Sequence, residues 1–222
     1  MLSTTIPKQF IRIWLGPAPI PQMFDDWWND FKEIHPKFSF VTLTDDTPIE
    51  LPPALEKIYY SVDTYAGRSD ILRLLALHEL GGIYVDTDMM PLKSFEKLLG
   101  TKPFIGMRSS KSFATGVIGC PPKHPAMREL INSLPEWYLK HKDKSASVQT
   151  GPAFVSAEWF GREDIEHLPI ETFYPYNGFM APKRQERLKI FAQKEFPPEM
   201  LAAHFGNHRW GGKPIEVAYA KP

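Results

Sequence analysis

The segment Gly81-Gly82-Ile83-Tyr84-Val85-Asp86-Thr87-Asp88 limits what this chain can fold into more than any other. Two glycines open an apolar strand that ends in two carboxylates separated by one residue. Side chains alternate along a strand, so both carboxylates reach one ligand only if the backbone turns as the strand ends. Mg²⁺ and Mn²⁺ prefer oxygen ligands and commonly bridge carboxylates to substrate phosphates. The segment therefore predicts a divalent metal that holds a diphosphate.

An amphipathic helix is predicted immediately before this strand, over Gly67–Leu80. Ser69 or Asp70 is expected to cap its N-terminus. Asp70 and Arg73 are three residues apart and share one side of the first turn. A local ion pair on an exposed helix would explain this pair. Its position one helix before the two carboxylates favours a role in ligand binding instead.

Five sequence elements in this order resemble the sugar-binding region of the DXD-containing glycosyltransferases. The elements are Ile6–Gly16, Ser69–Arg73, Gly81–Tyr84, Asp86–Asp88 and Pro91. The group includes yeast α-mannosyltransferases, lactosylceramide α-galactosyltransferases and bacterial capsule enzymes, and the glucosylating domains of the large clostridial toxins are similar. The resemblance is dense over about the first hundred residues and thins afterwards. Arg12 stands where the family usually has a polar residue or histidine.

The resemblance implies a single Rossmann-like GT-A domain over residues 1–222, with a mostly parallel central sheet and helices on both faces. Residues 1 to about 120 would form the donor-binding half, and about 121–222 the acceptor side and a C-terminal lid. The implied reaction is metal-dependent transfer of a hexose from a nucleotide-diphosphate sugar to an acceptor hydroxyl, with retention at the anomeric carbon. UDP-hexose is favoured as the donor, although GDP is also used in the family.

The resemblance also assigns roles to individual residues. The catalytic residues would be Asp86, Asp88 and Arg73. The metal ligands would be Asp86, Asp88 and His204, which would hold Mn²⁺ or Mg²⁺. The donor-binding residues would be Trp14, Asp70, Arg73, Tyr84, Asp86 and Arg209. Trp14 would stack on the nucleobase, although an ordinary core or rim tryptophan is the alternative. Tyr84 would either hydrogen-bond the diphosphate or only pack.

The C-terminal run His204-Phe205-Gly206-Asn207-His208-Arg209-Trp210 is similar to a late family motif that supplies a metal ligand and a cation for the leaving diphosphate. By that likeness His204 is the ligand, Arg209 or Lys213 faces phosphate, and Trp210 holds the segment over the donor. The match is imperfect because Arg209 stands where serine is usual and His208 competes with His204. A surface histidine cluster is the plain alternative.

Strand-like and helix-like segments alternate along the chain, which predicts helices on both faces of a largely parallel sheet. Strands are predicted at Phe10–Leu15, Lys37–Leu43, Ile83–Asp86, Pro103–Arg108, Phe113–Cys120 and Glu166–Ile170, and helices at Met23–Ile34, Leu55–Ser61, Gly67–Leu80, Pro125–Lys140 and Val148–Phe160. The strand at Phe113–Cys120 is expected to be antiparallel. Gln149-Thr150-Gly151-Pro152 resembles a T-G-P segment of the family, and its backbone N–H groups could serve an anion.

Composition agrees with a globular enzyme of 222 residues, 43% of them hydrophobic. The zero net charge gives no general attraction to nucleic acid, so a nucleic-acid acceptor is disfavoured but not excluded. Cys120 is the single cysteine, as a reducing cytosol permits. No signal peptide or transmembrane segment is apparent, so a cytoplasmic protein is expected.

Two other classes of function remain open. A metal-dependent phosphatase or nucleotidyltransferase also uses an Asp-x-Asp pair, but needs a nucleophile or a further carboxylate that this sequence does not match. A non-catalytic module that binds nucleotide sugars or glycans is the second. The acceptor is also open among capsular or surface polysaccharide, as in polysaccharide biosynthesis, lipid-linked oligosaccharide, protein side chains and modified nucleic-acid bases. Some of the aromatic residues in the C-terminal half could stack on an acceptor sugar.

Overall fold

The computed structural model describes residues 4–174 and 183–206. In chain order its elements are β1 Gln9–Ile13, α1 Gln22–Ile34, β2 Ser39–Leu43, α2 Pro53–Ser61, α3 Tyr65–Leu80, β3 Gly82–Val85, β4 Met89–Pro91, β5 Phe104–Ser109, β6 Ser112–Cys120, α4 Pro125–His141, α5 Ala146–Gln149, α6 Pro152–Trp159, β7 Glu166–Leu168, α7 Arg184–Gln193 and β8 Ala202–His204. Single 3₁₀ turns lie at Glu96–Leu98 and Ile170–Thr172.

Six strands form the central sheet in the order β2-β1-β3-β6-β5-β7. The pairs β1–β2, β1–β3 and β5–β7 are parallel, and only β6 runs against its neighbours within this sheet. The predicted α/β fold with a mostly parallel sheet is therefore confirmed, including the reversed strand. Strand order and direction place the carboxyl ends of β1, β2 and β3 along one edge, where ligands gather in open α/β sheets.

Helices cover both faces of the sheet because successive side chains of each strand point in opposite directions. On β1, Phe10 packs in the same buried cluster as Trp28 and Phe31 of α1. Its neighbour Ile11 packs in the cluster built by α2, α3, α4 and α6. The buried residues of α1, at helical spacing, are Phe24, Trp27, Trp28 and Phe31.

The link between α3 and β3 depends on two glycines. Gly81 ends α3 with φ 66°, and its N–H donates to the carbonyl of Leu77. Gly82 follows with φ 102°, and a β-carbon there would lie 2.7 Å from the carbonyl oxygen of Gln9 on β1. The left-handed backbone and the close approach both exclude a side chain, so the chain turns from helix to strand without a connecting loop.

Two local predictions are wrong. The N-cap of α3 is Thr64, whose hydroxyl accepts from the N–H of Gly67, and not Ser69 or Asp70, which lie inside the helix. The helix predicted over Val148–Phe160 is two helices, α5 and α6, separated at Thr150 and Gly151. Proline at the first position of α6 lacks an N–H and so cannot continue the hydrogen bonding of α5.

A second, two-stranded sheet lies beside the first. Strands β4 and β8 pair antiparallel, with Met89 opposite His204 and Pro91 opposite Ala202. This pairing brings the last described strand to the residues that follow β3. Over the ranges that the structure describes, no helix is both long and apolar enough to cross a membrane.

We predict that Phe10→Ala destabilises the folded protein, because it removes the ring at the centre of the aromatic cluster between α1 and the sheet. The Phe10 side chain is fully buried, and its ring centroid lies 4.8–5.7 Å from the rings of Phe31, His35, Phe38, Phe40 and Phe95. Truncating a phenylalanine in such a site costs about 3–5 kcal/mol of unfolding free energy, as urea denaturation would measure.

The matched control is Leu139→Ala, because the Leu139 side chain is 71% exposed. That variant should stay within about 0.5 kcal/mol of the wild-type protein. Equal stability of the two variants would contradict the central role of Phe10 in the core.

Candidate functional site

The Asp86-Thr87-Asp88 segment turns sharply as it leaves β3. The N–H of Met89 donates to the carbonyl of Asp86 over 3.1 Å, and the N–H of Asp86 donates to the carbonyl of Gly116 on β6. The Thr87 hydroxyl donates to the carbonyl of Ile13, the last residue of β1, over 3.0 Å. The turn is thus fixed between the end of β1 and the middle of β6.

Because of this turn, Asp86 and Asp88 face one point together with His204. His204 Nε2 lies 3.1 Å from Asp88 Oδ1 and 3.5 Å from Asp86 Oδ2. One ligand atom from each of the three residues lies within 4.8 Å of the others. Pairing of β8 with β4 places His204 there, since it sits opposite Met89, directly after Asp88.

These three residues fit a divalent ion. Two carboxylates supply hard oxygen ligands, and the imidazole adds a nitrogen that Mn²⁺ accepts more readily than Mg²⁺. The backbone N–H of His204 donates to the Phe173 carbonyl over 3.0 Å, and the imidazole packs at a steep angle against the Tyr174 ring, 5.7 Å between centroids. The ring contact therefore helps to orient the imidazole beside its carboxylate partners.

A buried arginine lies behind the two carboxylates. Arg73 Nη1 is 2.9 Å from Asp70 Oδ1, and Arg73 Nη2 is 3.2 Å from Asp86 Oδ1. Tyr84 donates its hydroxyl to Asp86 Oδ1 over 2.8 Å, accepts from Arg73 Nη2, and lies under the guanidinium at 4.2 Å. Asp70 and Arg73 are 2% and 5% exposed, so they are not the solvated ion pair that an exposed helix would carry.

The charges of this group shift the pKa values of its members. Burial raises the pKa of Asp70 to about 7, with the Arg73 charge opposing it. Burial would also raise the pKa of Asp86, but Arg73 and His204 outweigh it and hold that pKa below its ordinary value. Burial would lower the pKa of His204, but the Asp88 and Asp86 carboxylates raise it to about 10. Asp86 is therefore an anion at neutral pH, as a metal ligand must be.

Trp14 lies next to this group. It directly follows Ile13, whose carbonyl receives the Thr87 hydrogen bond, and its indole N–H donates to the carbonyl of Ala18 over 2.7 Å. The indole is half-buried. The structure thus brings Trp14, Asp70, Arg73, Tyr84, Asp86, Asp88 and His204 to one edge of the sheet. The predicted donor residue Arg209, together with His208, Trp210 and Lys213, lies outside the described residues.

Sequence reasoning missed two residues that shape this site. Thr150 is buried and its hydroxyl lies 3.3 Å from Asp70 Oδ2, so α5 and α6 are tied to the Asp70–Arg73 pair. Gly116 leaves room for Asp86, because a β-carbon there would lie 2.9 Å from Asp86 Oδ2. The T-G-P pattern pointed to the Thr150 segment, but it gave no sign of a contact with Asp70.

Two other histidines lie in structural settings. His35 is buried in the aromatic cluster around Phe10 and accepts from the N–H of Phe95. His124 caps α4 by accepting from the N–H of Ala126. Neither is near the carboxylates of the candidate site.

Part of the chain, including most of the candidate site, matches a known protein family. Residues 21–105, which include α3, β3 and the turn at Asp86–Asp88, match the family described as the glycosyltransferase sugar-binding region containing the DXD motif. Residues 21–105 are similar to a DXD-type sugar-binding region. The predicted resemblance is therefore confirmed over this part of the chain.

A relative of known activity is also similar to this chain. Inositol phosphoceramide mannosyltransferase 3 of Schizosaccharomyces pombe is 26% identical over 191 residues, which cover 83% of this chain and 52% of that protein. This chain thus spans about half the length of that relative.

Solved structures share the fold. The PaToxG glycosyltransferase superposes with a TM-score of 0.61 at 20% identity, covering 70% of this chain and 69% of the other. The UDP-bound glycosyltransferase domain of the YGT toxin gives 0.51 at 12% identity, covering 64% of each chain. The predicted GT-A type of fold is therefore confirmed.

We predict that Asp70 makes stability fall as pH rises. Its folded-state pKa of about 7 lies above the ordinary value of 3.8, so the folded protein binds more protons between these values. From pH ~4 to ~7 the wild-type unfolding free energy should fall by more than about 1 kcal/mol relative to Asp70→Asn, since one pKa unit corresponds to about 1.4 kcal/mol. Urea denaturation at several pH values measures this difference.

Asp63→Asn is the control, because Asp63 is exposed and lies just before α3. Its pH profile should run parallel to that of the wild-type protein. Parallel profiles for Asp70→Asn and the wild-type protein would show that Asp70 is not protonated in the folded state near neutral pH.

Proposed function

We propose that this chain is a metal-dependent glycosyltransferase that moves a hexose from a nucleotide-diphosphate sugar to an acceptor hydroxyl, with retention at the anomeric carbon. The observation that carries the proposal is the convergence of Asp86, Asp88 and His204 within 4.8 Å, in front of buried Arg73, in a DXD-type sugar-binding region. The convergence lies at the carboxyl edge of the sheet, where such folds bind their ligands.

Asp86, Asp88 and His204 would hold Mn²⁺ or Mg²⁺. When bound, the ion neutralises negative charge that develops on the departing diphosphate. The remaining residues act around it: Arg73 keeps Asp86 ionised, and Tyr84 fixes the orientation of the Asp86 carboxylate through its hydrogen bond. His204 offers Nε2 either to a proton or to the ion, because only the neutral imidazole ligates metals.

In this proposal the donor lies between Trp14 and the carboxylates. Trp14 would stack on the nucleobase, and Asp70 and Arg73 would contact the donor sugar and its phosphate, since a guanidinium holds oxygens in pairs. Arg209 remains a proposed phosphate contact. UDP is the favoured nucleotide because a structural neighbour with the same fold binds it.

Retention agrees with the pairing of the carboxylates near the site. Asp70 is occupied by Arg73 and Thr150, and Asp86 by Arg73 and Tyr84, which leaves neither in the position of a free base. A departing phosphate oxygen can then take the proton of the acceptor hydroxyl on the same face of the sugar. The extent of the domain over residues 1–222 and a cytoplasmic location stay predictions, the latter resting on the single cysteine.

A phosphatase or nucleotidyltransferase is less well supported. Those enzymes need a nucleophile or a further carboxylate beside the metal ligands, and Asp70, the other carboxylate that contacts Arg73, is buried against that arginine. A non-catalytic nucleotide-sugar module is the remaining alternative, and turnover separates it from a transferase.

We predict that Asp88→Ala reduces release of UDP from UDP-hexose in the presence of Mn²⁺ by at least about 100-fold, because loss of one electrostatic contact to the leaving group has effects of this size. Far-ultraviolet circular dichroism and the melting temperature show whether the variant is folded. Asp143→Ala removes an exposed carboxylate just beyond α4 and should keep wild-type activity. Full activity in folded Asp88→Ala would end the proposal.

We also predict that UDP raises the melting temperature of the wild-type protein when Mn²⁺ is present and not when EDTA is present, since only native-state binding stabilises. His204→Ala should weaken this metal-dependent shift, because one of three ligands is lost. An equal UDP shift with EDTA would contradict metal-mediated binding. A metal-dependent shift without any turnover of a panel of nucleotide sugars would favour the binding module.

A further inference from the structure

A cavity of about 590 Å³ opens between α6 and the hairpin that joins β5 to β6. We call it the hairpin cavity. From the hairpin it is lined by Arg108, Lys111, Ser112 and Phe113. One face of α6, together with Phe160 directly after that helix, forms the opposite wall. The N–H of Phe113 donates to the Ser156 hydroxyl over 2.9 Å, so the two walls are joined at the base of the cavity.

The charged residues that line the hairpin cavity are both cations. Arg108 and Lys111 form no ion pair with any described residue, and no carboxylate contributes to the described lining. Some surface cations are neutralised by neighbours, since Lys140 pairs with Glu136, and Arg162 pairs with Glu129 and Asp164. Two unpaired cations that share one cavity give it a positive potential.

The start of α6 adds to this potential. Its N-cap is Gly151, and no side chain makes a capping hydrogen bond to the first turn. The first N–H groups of a helix lack intrahelical partners and carry partial positive charge. Pro152 and Ala153 of this first turn line the hairpin cavity, and of these two residues only Ala153 has an N–H. The partial positive charge of the helix start therefore lies at the wall opposite Arg108 and Lys111.

The position of the cavity connects it to the candidate site. Thr150, whose hydroxyl contacts Asp70, lies two residues before Pro152 in the cavity wall. On the other wall, Ser112 lies four residues from Gly116, whose backbone contacts Asp86, or about 13 Å along an extended strand. A sugar ring and an acceptor hydroxyl fit within that span. Phe160, which is 47% exposed, gives the outer end of the cavity an aromatic surface.

We infer that the hairpin cavity binds the anionic group of the acceptor, so the acceptor is a hydroxyl compound that carries a phosphate or a carboxylate. Arg108 binds such groups through paired N–H donors and Lys111 through a point charge. That the bound compound is an acceptor rests on the proposed glycosyltransferase function. Binding of the anionic group depends only on the cavity. Phosphate on a soluble sugar and phosphate on a lipid headgroup offer the same chemistry.

The experiment compares the wild-type protein with the double variant Arg108→Gln/Lys111→Gln. The matched control is Lys32→Gln/Lys37→Gln, which removes two exposed cations at and just beyond the end of α1. Isothermal titration calorimetry measures the affinities of glucose 6-phosphate and glucose at fixed ionic strength. Co-sedimentation measures binding to phosphatidylcholine vesicles with and without phosphatidylglycerol. Release of UDP from UDP-hexose without acceptor is measured for all three proteins.

Three results support the inference. The wild-type protein and the control bind glucose 6-phosphate at least about tenfold more tightly than glucose, the double variant loses this preference, and added salt weakens it. Binding only to the phosphatidylglycerol vesicles, lost in the double variant, also supports it and identifies a lipid headgroup as the source of the anion. Release of UDP should be unchanged in the double variant, because the cavity does not hold the donor.

Two results overturn the inference. One is that the wild-type protein prefers neither the phosphorylated sugar nor the anionic vesicles, and the other is that the preference survives in the double variant. Failure of the proposed function gives a different result, since the wild-type protein would then release no UDP from any nucleotide sugar while the anion preference could still be measured.

Discussion

A buried arginine between two carboxylates is the interaction on which the candidate site depends. Arg73 comes from the middle of a core helix, and it contacts Asp70 one turn earlier and Asp86 at the end of the neighbouring strand. Without this cation, the half-buried Asp86 carboxylate would lose a charge that holds its pKa below the ordinary value, and desolvation would favour its protonated form. The guanidinium therefore keeps Asp86 charged at the carboxyl edge of the sheet. Its ion pair with Asp86 also connects α3 to the end of β3.

The frame around this ion pair is made mainly of backbone contacts. The turn at Asp86–Asp88 is held by hydrogen bonds to the end of β1 and to the middle of β6, and the small residue Gly116 lets the Asp86 side chain approach β6. Thr150 extends the frame to the C-terminal half through Asp70. A substitution at one of these contacts would change the orientation of a charged side chain, although the substituted residue does not itself contact a ligand.

Local patterns in the sequence predicted most of the fold. The helical spacing before Gly81, the glycine pair and the apolar run after it specified α3, β3 and the turn between them, because each of these depends on neighbours in sequence. The cap of α3 was missed because Thr64, Ser69 and Asp70 are all good capping residues, and the sequence alone does not say which one lies at the helix boundary. Pairing of β4 with β8 and the contact of Thr150 with Asp70 join residues 80 or more positions apart, and three-residue strands leave no periodic signal. His204 was predicted as a metal ligand only because the C-terminal run is similar to a late family motif. The T-G-P segment was predicted to serve an anion, and its contact with Asp70 was not predicted.

The two-stranded sheet has a consequence for the biogenesis of the protein. His204 follows Asp88 by 116 residues, so the pocket between them closes only after nearly the whole described chain has left the ribosome. Until β8 forms, Asp86 and Asp88 therefore lack their histidine neighbour. Pairing of β8 with β4 is thus the step of folding that completes the three-residue group.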